Sequence, residues 1–435
     1  MNILVLNAGS SSQKSCLYSI SGDRLPSAPP EPLWEGSIDW SHRPGQAELK
    51  ITGQGRTRLE TLPYAGPGSE AGASDSGDGL VRDRSTILQH LLQSLWQGEQ
   101  AVLGGVEAIQ AIGHRVVHGG QAYRAAVRID AQVQDKIREL IPLAPAHNPA
   151  NLEGIVIAQQ LFGEHIPQFA IFDTAFHSHL PEAAAVYPGP YAWLEQGIRR
   201  YGFHGISHEY CAQRAAQLLG QDLAQLKLIT CHLGNGCSLA AIRNGHSIDT
   251  TMGFTPLEGL MMGSRSGSVD PGILIYLMRQ QGLGADALEQ LLNKQSGLLG
   301  LSGVSQDMRE IQGAITLPAS SQITSDQSRS KLAFEVYIHR INRGIGAMLA
   351  SLGGLDGLVF TAGVGENSGA VRSQVCQAFQ FLGLQLDEAL NEACNQGKPG
   401  DQNIAQADSK IPVLVIHTQE DWQIARTCWG QLTDI

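Results

Sequence analysis

Three turns rich in small and hydrogen-bonding residues have the composition of phosphate-binding loops. The first is Asn7-Ala8-Gly9-Ser10-Ser11-Ser12, with Lys14 close behind it. The second is His232-Leu233-Gly234-Asn235-Gly236, and the third is Gly363-Val364-Gly365-Glu366-Asn367. Backbone N–H groups, hydroxyls and a lysine charge all bind phosphate oxygens. Each turn alone could be an ordinary hairpin turn, but the first two facing each other would describe a nucleotide cleft, and the third could accept a nucleoside.

The overall composition narrows the class of protein. A net charge of −11 lacks the broad basic footprint of a nucleic-acid-binding protein. The seven cysteines form no CxxC pair, which favours a reduced cytoplasmic protein over a disulfide framework. Neither GxxxxGK(S/T) nor GxGxxG after the first strand occurs, so the chain is not a P-loop enzyme. The N-terminus does not resemble a signal peptide, and no apolar run approaches the ~18 residues of a membrane span.

Apolar runs place the first two turns on a repeated plan of strand, turn and strand. Residues 2–6 and 14–20 are predicted strands around the first turn, and 226–242 repeat the hairpin around the second. Strand 355–360 precedes the third turn. Predicted helices fill the remainder at 84–97, 130–140, from about 149 onward, at 273–294, at 329–352 and after 417. Because hairpins open both halves, we expect two α/β domains with mixed sheets and a cleft between them.

Seven motifs, in order and over nearly the whole chain, resemble those of the acetate kinase family. They are the first turn with Lys14, Gly113-His114-Arg115-Val116-Val117-His118-Gly119-Gly120, Phe172-Asp173-Thr174-Ala175-Phe176-His177, Arg200-Tyr201-Gly202-Phe203-His204-Gly205, His232–Gly236, Arg265-Ser266-Gly267 and Thr361–Asn367.

The resemblance implies a duplicated two-domain actin/hexokinase-like (ribonuclease-H-like) fold. Its N-terminal acid and phosphate domain would be 1–176 plus 421–435, and its nucleotide-binding and dimerisation domain 177–420. The implied reaction is acetate + ATP ⇌ acetyl phosphate + ADP by direct in-line transfer. A cytoplasmic homodimer with no nucleic-acid or membrane partner is the implied state.

The resemblance also implies roles for individual residues. Those implied to be catalytic are Asp173, His204 and Arg265. Those implied to bind the acid are Arg115, Val117, His147 and Phe203. Those implied to bind the nucleotide are Lys14, His232, Leu233, Gly234, Asn235, Gly236, Asp307, Met308, Arg309, Gly363, Val364, Gly365, Glu366 and Asn367. Asn7 and Glu420 are implied to hold Mg²⁺, or Mn²⁺ in its place.

A carboxylate substrate suits this set of charges. Its pKa is about 4–5, so it is already ionised at neutral pH and needs no general base. It needs relief from repulsion as it approaches a polyphosphate, which arginines, a histidine and Mg²⁺ provide. We therefore expect Asp173 to orient an arginine or a metal-bound water rather than to remove a substrate proton.

The residues by themselves leave other interpretations open. Arg115 could form a structural ion pair, and His204 could be a core histidine. The histidines at 177, 179, 204 and 208 could suggest zinc, but none has HExxH-like spacing. A propionate or butyrate kinase, a sugar kinase of the same superfold and an actin- or Hsp70-like nucleotide-dependent binding protein are the competing functions.

Three features depart from the family pattern. Ala146 stands where the family often has Leu, which predicts more room for the acid's alkyl group and better use of propionate. Ser268 stands where many members carry Asp, so its loop contacts are in question. The low-complexity segment 65–79 is an insertion, predicted to be a surface loop, with no assigned function.

Overall fold

The computed structural model describes residues 1–9, 12–22, 24–40, 43–64, 66, 83–316, 325–394 and 400–433. Ser10, Ser11 and all of the 65–79 insertion except Gly66 therefore lie outside the described residues. The chain divides into two compact units, Met1–Ala175 with Gln419–Ile435, and Phe176–Thr418. No helix in the described ranges is long and apolar enough to cross a membrane.

Within the described residues, fourteen strands build one sheet in each unit. They are β1 Asn2–Ala8, β2 Ser12–Ser19, β3 Trp34–Asp39, β4 Gln46–Gly53, β5 Arg56–Pro63, β6 Ala111–Val116, β7 Val127–Arg128, β8 Gln168–Phe172, β9 Lys227–Leu233, β10 Cys237–Arg243, β11 His246–Thr250, β12 Gly357–Thr361, β13 Gln402–Asn403 and β14 Val413–Val415.

In the part of the chain that the structure describes, fifteen α-helices connect or cover these strands. They are α1 Arg84–Gln93, α2 Ala131–Glu139, α3 Asn148–Phe162, α4 Glu182–Ala185, α5 Ala192–Glu195, α6 Gly205–Leu219, α7 Pro271–Gln281, α8 Ala285–Lys294, α9 Gly297–Ser302, α10 Met308–Thr316, α11 Ser325–Leu352, α12 Ala362–Asn367, α13 Gly369–Gln377, α14 Glu388–Cys394 and α15 Glu420–Thr433.

The two sheets share a strand order. The first runs β5-β4-β3-β2-β1-β6-β8-β7 and the second β11-β10-β9-β12-β14-β13. In each, three antiparallel strands joined as hairpins are followed by two strands parallel to the first one. The apolar runs of β1 and β9 occupy the centre, as expected of strands with both faces covered. The predicted α/β fold with two mixed sheets is confirmed, and its duplication is visible in this order.

Several predicted elements differ in the structure. The predicted helix 273–294 is two helices, because the chain turns at Gly282 with a φ of +68°. The third turn is instead the short helix α12, entered through Ala362 with a φ of +65°. Helix α1 ends at Gln93 rather than 97. Strands β3 to β5 were not predicted.

All seven cysteines are buried and unpaired. Burial raises the pKa of the Cys211 and Cys376 thiols to about 12 and that of Cys237 to about 11. They behave as small apolar side chains within the two cores.

Candidate active site

In the first unit, strand ends bring three of the predicted site residues together. Asn7 lies near the end of β1, Arg115 near the end of β6, and Asp173 directly after β8. Since these strands are parallel neighbours, their carboxyl ends share one edge of the sheet. Lys14 lies opposite Asn7 in the antiparallel register of β1 and β2.

Arg115 and Asp173 form a two-pronged ion pair at this edge. Arg115 Nε donates to Asp173 Oδ1 at 2.9 Å, and Nη2 donates to Oδ2 at 2.5 Å. Arg115 Nη1 donates to Asn7 Oδ1 at 3.2 Å. Burial alone would lower the pKa of Arg115, but the adjacent Asp173 raises it above its ordinary value. Arg115 is therefore permanently charged and fixed in orientation.

The start of α15 adds two carboxylates to the same cluster. Asn7 Nδ2 donates to Asp421 Oδ1 at 2.8 Å. The amide nitrogen of Asn7 therefore points toward Asp421 and its oxygen toward Arg115. Burial raises the pKa of Glu420, as do Asp173 and Asp421, while Arg115 and Lys14 lower it. The ionised form of Glu420 is thus disfavoured mainly by burial, a setting that an added cation would stabilise.

The first turn of α3 holds the segment that follows Arg115. Asn151 Oδ1 accepts from the Val117 N–H at 3.1 Å, and Asn148 Oδ1 accepts from the His118 N–H at 3.2 Å. Asn151 Nδ2 also donates to the Ala8 carbonyl at 3.1 Å. The predicted acid-binding residue His147 directly precedes this turn. The sequence analysis did not identify Asn151, whose side chain connects this segment to the end of β1.

In the second unit, His204 lies immediately before α6 in the left-handed conformation, with a φ of +57°. Its ring stacks on that of His232, with centroids 4.1 Å apart and planes 21° apart. His204 Nδ1 lies 2.9 Å from Ser238 Oγ, and His232 Nδ1 lies 2.8 Å from Ser207 Oγ. Both rings are therefore anchored through Nδ1. Phe203, just before His204, is buried and its carbonyl lies 3.0 Å from His177 Nε2.

The turn between β9 and β10 brings His204 and Arg265 close to Gly236. A Cβ added to Gly236 would lie 2.9 Å from Arg265 Nη2 and 3.4 Å from His204 Nε2. A side chain at position 236 would therefore displace the end of Arg265. Within the same turn Leu233 is buried and Asn235 is exposed, so Leu233 offers only its backbone to a ligand.

Arg265 is a partly buried cation without a carboxylate partner among the described residues. Its Nη1 donates to the Pro256 carbonyl at 2.6 Å. Burial lowers the pKa of Arg265, because the surroundings stabilise its charge poorly. Such a group is suited to receive an anion.

The loop that carries Arg265 is held by two sets of contacts. Glu258 accepts from Arg200 Nη2 at 2.7 Å and from the Tyr187 hydroxyl. The Ser268 hydroxyl accepts from the Gly259 N–H at 3.0 Å, and its own N–H donates to the Gly259 carbonyl at 3.0 Å. Ser268, which stands where many family members carry Asp, thus links two parts of this loop by hydrogen bonds.

Helix α12 contains the predicted nucleoside motif and begins beside the second turn. Thr361 pairs with His232 at the ends of the parallel strands β12 and β9. Glu366 accepts from the Ala362 N–H at 2.8 Å and the Thr418 N–H at 3.1 Å, and lies 2.6 Å from His417 Nδ1. Burial alone would raise the pKa of Glu366, but these partners lower it.

A fully buried arginine supports the other end of α12. Arg372 Nη1 donates to the Gly365 carbonyl at 2.9 Å and the Glu366 carbonyl at 2.8 Å. Its Nε donates to Asn391 Oδ1 at 2.8 Å. Sequence reasoning missed this residue, since no local pattern marks it.

The remaining predicted nucleotide contacts lie at the start of α10. Arg309 and Asp307 form an exposed pair, with Nη2 and Oδ2 2.5 Å apart. This bond to Arg309 lowers the pKa of Asp307. Met308 is buried, so its side chain belongs to the core.

Comparison with known proteins identifies the family of the chain. The sequence pattern of the Acetokinase family matches residues 2–426. An acetate kinase from Cyanothece sp. strain PCC 7425 is 58% identical over 430 residues, covering 99% of this chain and 98% of the relative.

Two solved structures are also similar over almost their entire length. The acetate kinase of Porphyromonas gingivalis is 39% identical with a TM-score of 0.84, covering 99% of both chains. A propionate kinase from Francisella tularensis is 36% identical with a TM-score of 0.82, covering 98% of both. The chain therefore belongs to the acetokinase family.

Proposed function

We propose that the chain reversibly transfers the γ-phosphoryl group of ATP to acetate, giving acetyl phosphate and ADP. The observation that carries this proposal is the 58% identity to an acetate kinase over 99% of the chain. Family membership makes the chain a phosphotransferase with a carboxyl acceptor and ATP as co-substrate. The two clusters of site residues supply the charges that this reaction needs.

Arg115 is suited to bind the acid's carboxylate. A guanidinium has five N–H donors, and three of them bind Asp173 and Asn7, which leaves two. Two donors match the two oxygens of a carboxylate. Asp173 holds the plane of the guanidinium and so decides where the acid lies.

The chemical step needs no proton transfer. A carboxylate oxygen forms a bond to the γ-phosphorus while the bond from that phosphorus to the bridging oxygen breaks, and ADP leaves with the bonding electrons. Charge builds on the three outer oxygens of the transferred group. In this proposal Arg265 and His204 would hold those oxygens, and their common proximity to Gly236 supports the assignment.

The nucleotide contacts form a second part of the proposal. The Gly234–Gly236 turn would lie against the phosphates through its backbone, and Asn235 would offer its amide. The α12 segment Gly363–Asn367, with Asp307 and Arg309, would hold the nucleoside. The adjacency of Thr361 and His232 in the sheet supports these two motifs serving one ligand.

Mg²⁺, or Mn²⁺ in its place, fits the donors around Asn7. The Asn7 amide oxygen and the carboxylates of Glu420 and Asp421 are the hard oxygen ligands that these ions prefer. The raised pKa of Glu420 reflects its buried surroundings and neighbouring carboxylates, whose repulsion a cation would relieve. When bound with ATP, the ion would neutralise part of the polyphosphate charge.

We also infer a cytoplasmic homodimer. Helix α7 has no buried residue, and four of its large apolar side chains are about half exposed or more: Ile273, Ile275, Tyr276 and Met278. Several large apolar side chains exposed on one short helix are typical of an interface. The seven unpaired thiols suit a reducing compartment, where ATP is available.

An acid-series assay tests the main proposal. Purified full-length chain would be given ATP, Mg²⁺ and acetate, propionate or butyrate, and acyl phosphate would be trapped with hydroxylamine. We expect acyl hydroxamate with acetate at the highest kcat/KM. A propionate kinase would prefer propionate, which Ala146 and the similarity to the Francisella tularensis enzyme make the second candidate. Absence of hydroxamate with every acid would leave a nucleotide-dependent binding protein.

A further inference from the structure

A continuous row of polar side chains lies behind the His204 imidazole. His204 Nδ1 is 2.9 Å from Ser238 Oγ, and Ser238 Oγ is 2.8 Å from His208 Nε2. His208 Nδ1 is 2.7 Å from Thr230 Oγ1. Ser238, His208 and Thr230 are completely buried, so the two bonds that His208 makes are shielded from water.

Three neighbouring elements put the row in place. His204 and His208 are one helical turn apart at the start of α6. Thr230 and His232 project from the same face of β9, because strand residues alternate sides. Ser238 pairs with His232 across the β9–β10 ladder. The row is therefore a product of the strand register and not of one local motif.

His208 carries a single N–H in this setting. It is fully buried, its imidazole neighbours are His177 and His232, and burial first and these rings next hold its pKa well below the ordinary value. A neutral imidazole has one donor nitrogen and one acceptor nitrogen. The two tautomers of His208 therefore correspond to two opposite orders of protons along the row.

In the first order, His208 donates from Nδ1 to Thr230, and Ser238 donates to His208. The Thr230 hydroxyl proton is then left without an acceptor among the described residues, in a fully buried position. In the second order, Thr230 donates to His208 Nδ1, His208 donates from Nε2 to Ser238, and Ser238 donates to His204 Nδ1. Every proton of the row then has an acceptor, which is the favoured state of buried polar groups.

We propose that Thr230, His208 and Ser238 are positioning residues that keep the proton of neutral His204 on Nε2. This inference rests on the proposed function, in which His204 holds the transferring phosphoryl group. The Cε1–Nε2 edge of the His204 ring faces Gly236, since Cε1 and Nε2 lie 3.3 Å and 3.4 Å from where a Cβ on Gly236 would be, and Arg265 Nη2 lies 2.9 Å from the same point. The row thus makes His204 a hydrogen-bond donor toward that site without requiring a charged imidazolium, which the nearby Arg265 cation would oppose.

The test pairs two substitutions at one position. Thr230→Val keeps the shape and removes the hydroxyl, whereas Thr230→Ser keeps the hydroxyl. We would record ¹⁵N NMR spectra of the full-length protein labelled in its histidine rings at about pH 8, where an unperturbed imidazole is neutral. The His204 signals would be assigned by their absence in His204→Gln. Kinetics with ATP, Mg²⁺ and acetate would be measured in parallel.

We expect wild type and Thr230→Ser to show a protonated Nε2 and an unprotonated Nδ1 at His204. Thr230→Val should show a mixture of tautomers and a kcat lower by roughly ten- to hundred-fold, with both KM values nearly unchanged. A protonated Nδ1 in the wild type, or an unchanged tautomer and kcat in Thr230→Val, would overturn the proposal. The NMR result is independent of turnover, so a chain inactive with every acid would refute the proposed function and leave the proton order measurable.

Discussion

Arg115 meets Asp173 along the edge formed by its Nε and Nη2 atoms, at 2.9 Å and 2.5 Å. Asp173 is almost completely buried, at 1% exposed, so its carboxylate has little contact with solvent. The pair has the geometry of a clamp on the guanidinium. An orienting role for Asp173 follows more directly from this contact than a proton-transfer role does.

Asp173→Asn tests that role. The amide keeps the size but removes the charge and one acceptor, so the guanidinium should lose its fixed plane and kcat should fall by roughly 10²–10³-fold. The ratio of wild-type to variant kcat should stay constant between about pH 6 and about pH 9, since no proton transfer is lost. A limb of the wild-type pH–rate profile that vanishes in the variant would show instead that Asp173 is a base.

Glu420→Gln tests the metal proposal. Loss of one carboxylate should raise the Mg²⁺ concentration for half-maximal activity by about ten-fold and leave the acetate KM nearly unchanged. Mn²⁺ binding to the protein–ADP complex, followed by electron paramagnetic resonance, should weaken in parallel. Glu139→Gln, at an exposed end of α2, is the matched control and should change neither quantity. Equal Mn²⁺ affinity in both variants would remove Glu420 from the metal site.

Ala146→Leu tests the acid preference. Ala146 lies in the turn just before His147, and a larger side chain there should reduce the space for the acid's alkyl group. The propionate-to-acetate ratio of kcat/KM should fall, by about ten-fold for one methylene. Ala131→Leu, at the exposed start of α2, should leave the ratio as it is. An unchanged ratio in Ala146→Leu would mean that position 146 does not contact the acid.

Glu366→Gln tests the support of α12. The folded-state pKa of Glu366 lies below the ordinary 4.5, so its stabilising effect is present above about pH 4.5 and is lost as the pH falls through the folded-state pKa. The variant should be destabilised by about 2 kcal/mol near pH 7, seen as a lower Tm. The Tm difference should shrink in acid, while exposed Glu195→Gln should match the wild type throughout. A Tm difference independent of pH would contradict this account.

Tyr276→Glu combined with Ile275→Asp tests the dimer. Two charges on the apolar face of α7 should convert a dimer to a monomer in sedimentation-velocity experiments, because they would be buried without partners. Leu59→Asp places a charge on another exposed apolar residue, in β5, and should leave the mass unchanged. If wild type is itself monomeric, or the double variant remains dimeric, α7 is not the interface.

Much of the secondary structure could be predicted because it follows from the pattern of apolar and polar residues within short segments. Residues 2–20 and 226–242 carry apolar strands around small polar turns, and both hairpins occur in the structure. The ordered motifs alone include Asn7, Arg115 and Asp173 among the predicted site residues. Strands β3 to β5 carry weaker signals, although Ala47, Leu49 and Ile51 alternate as inward-facing residues of β4 and could have marked it.

The supporting residues could not be predicted because they depend on contacts between distant segments. Asn151 reaches the Ala8 carbonyl, 143 positions away in the chain. Arg372 binds the carbonyls at the end of α12 and also Asn391 in α14. The row behind His204 needs the register of β9 against β10. No spacing within one segment encodes these relationships.

The buried cysteines have a practical consequence for labelling. Because all seven native thiols are shielded and hard to ionise, a maleimide dye should react slowly with the folded chain. A single cysteine introduced at an exposed position such as Asn235 would then be modified selectively, without removing any native thiol. The wild-type chain is therefore suited to site-specific fluorescent labelling. The slow labelling rate of the unmodified chain would measure how often the fold opens to expose a buried thiol.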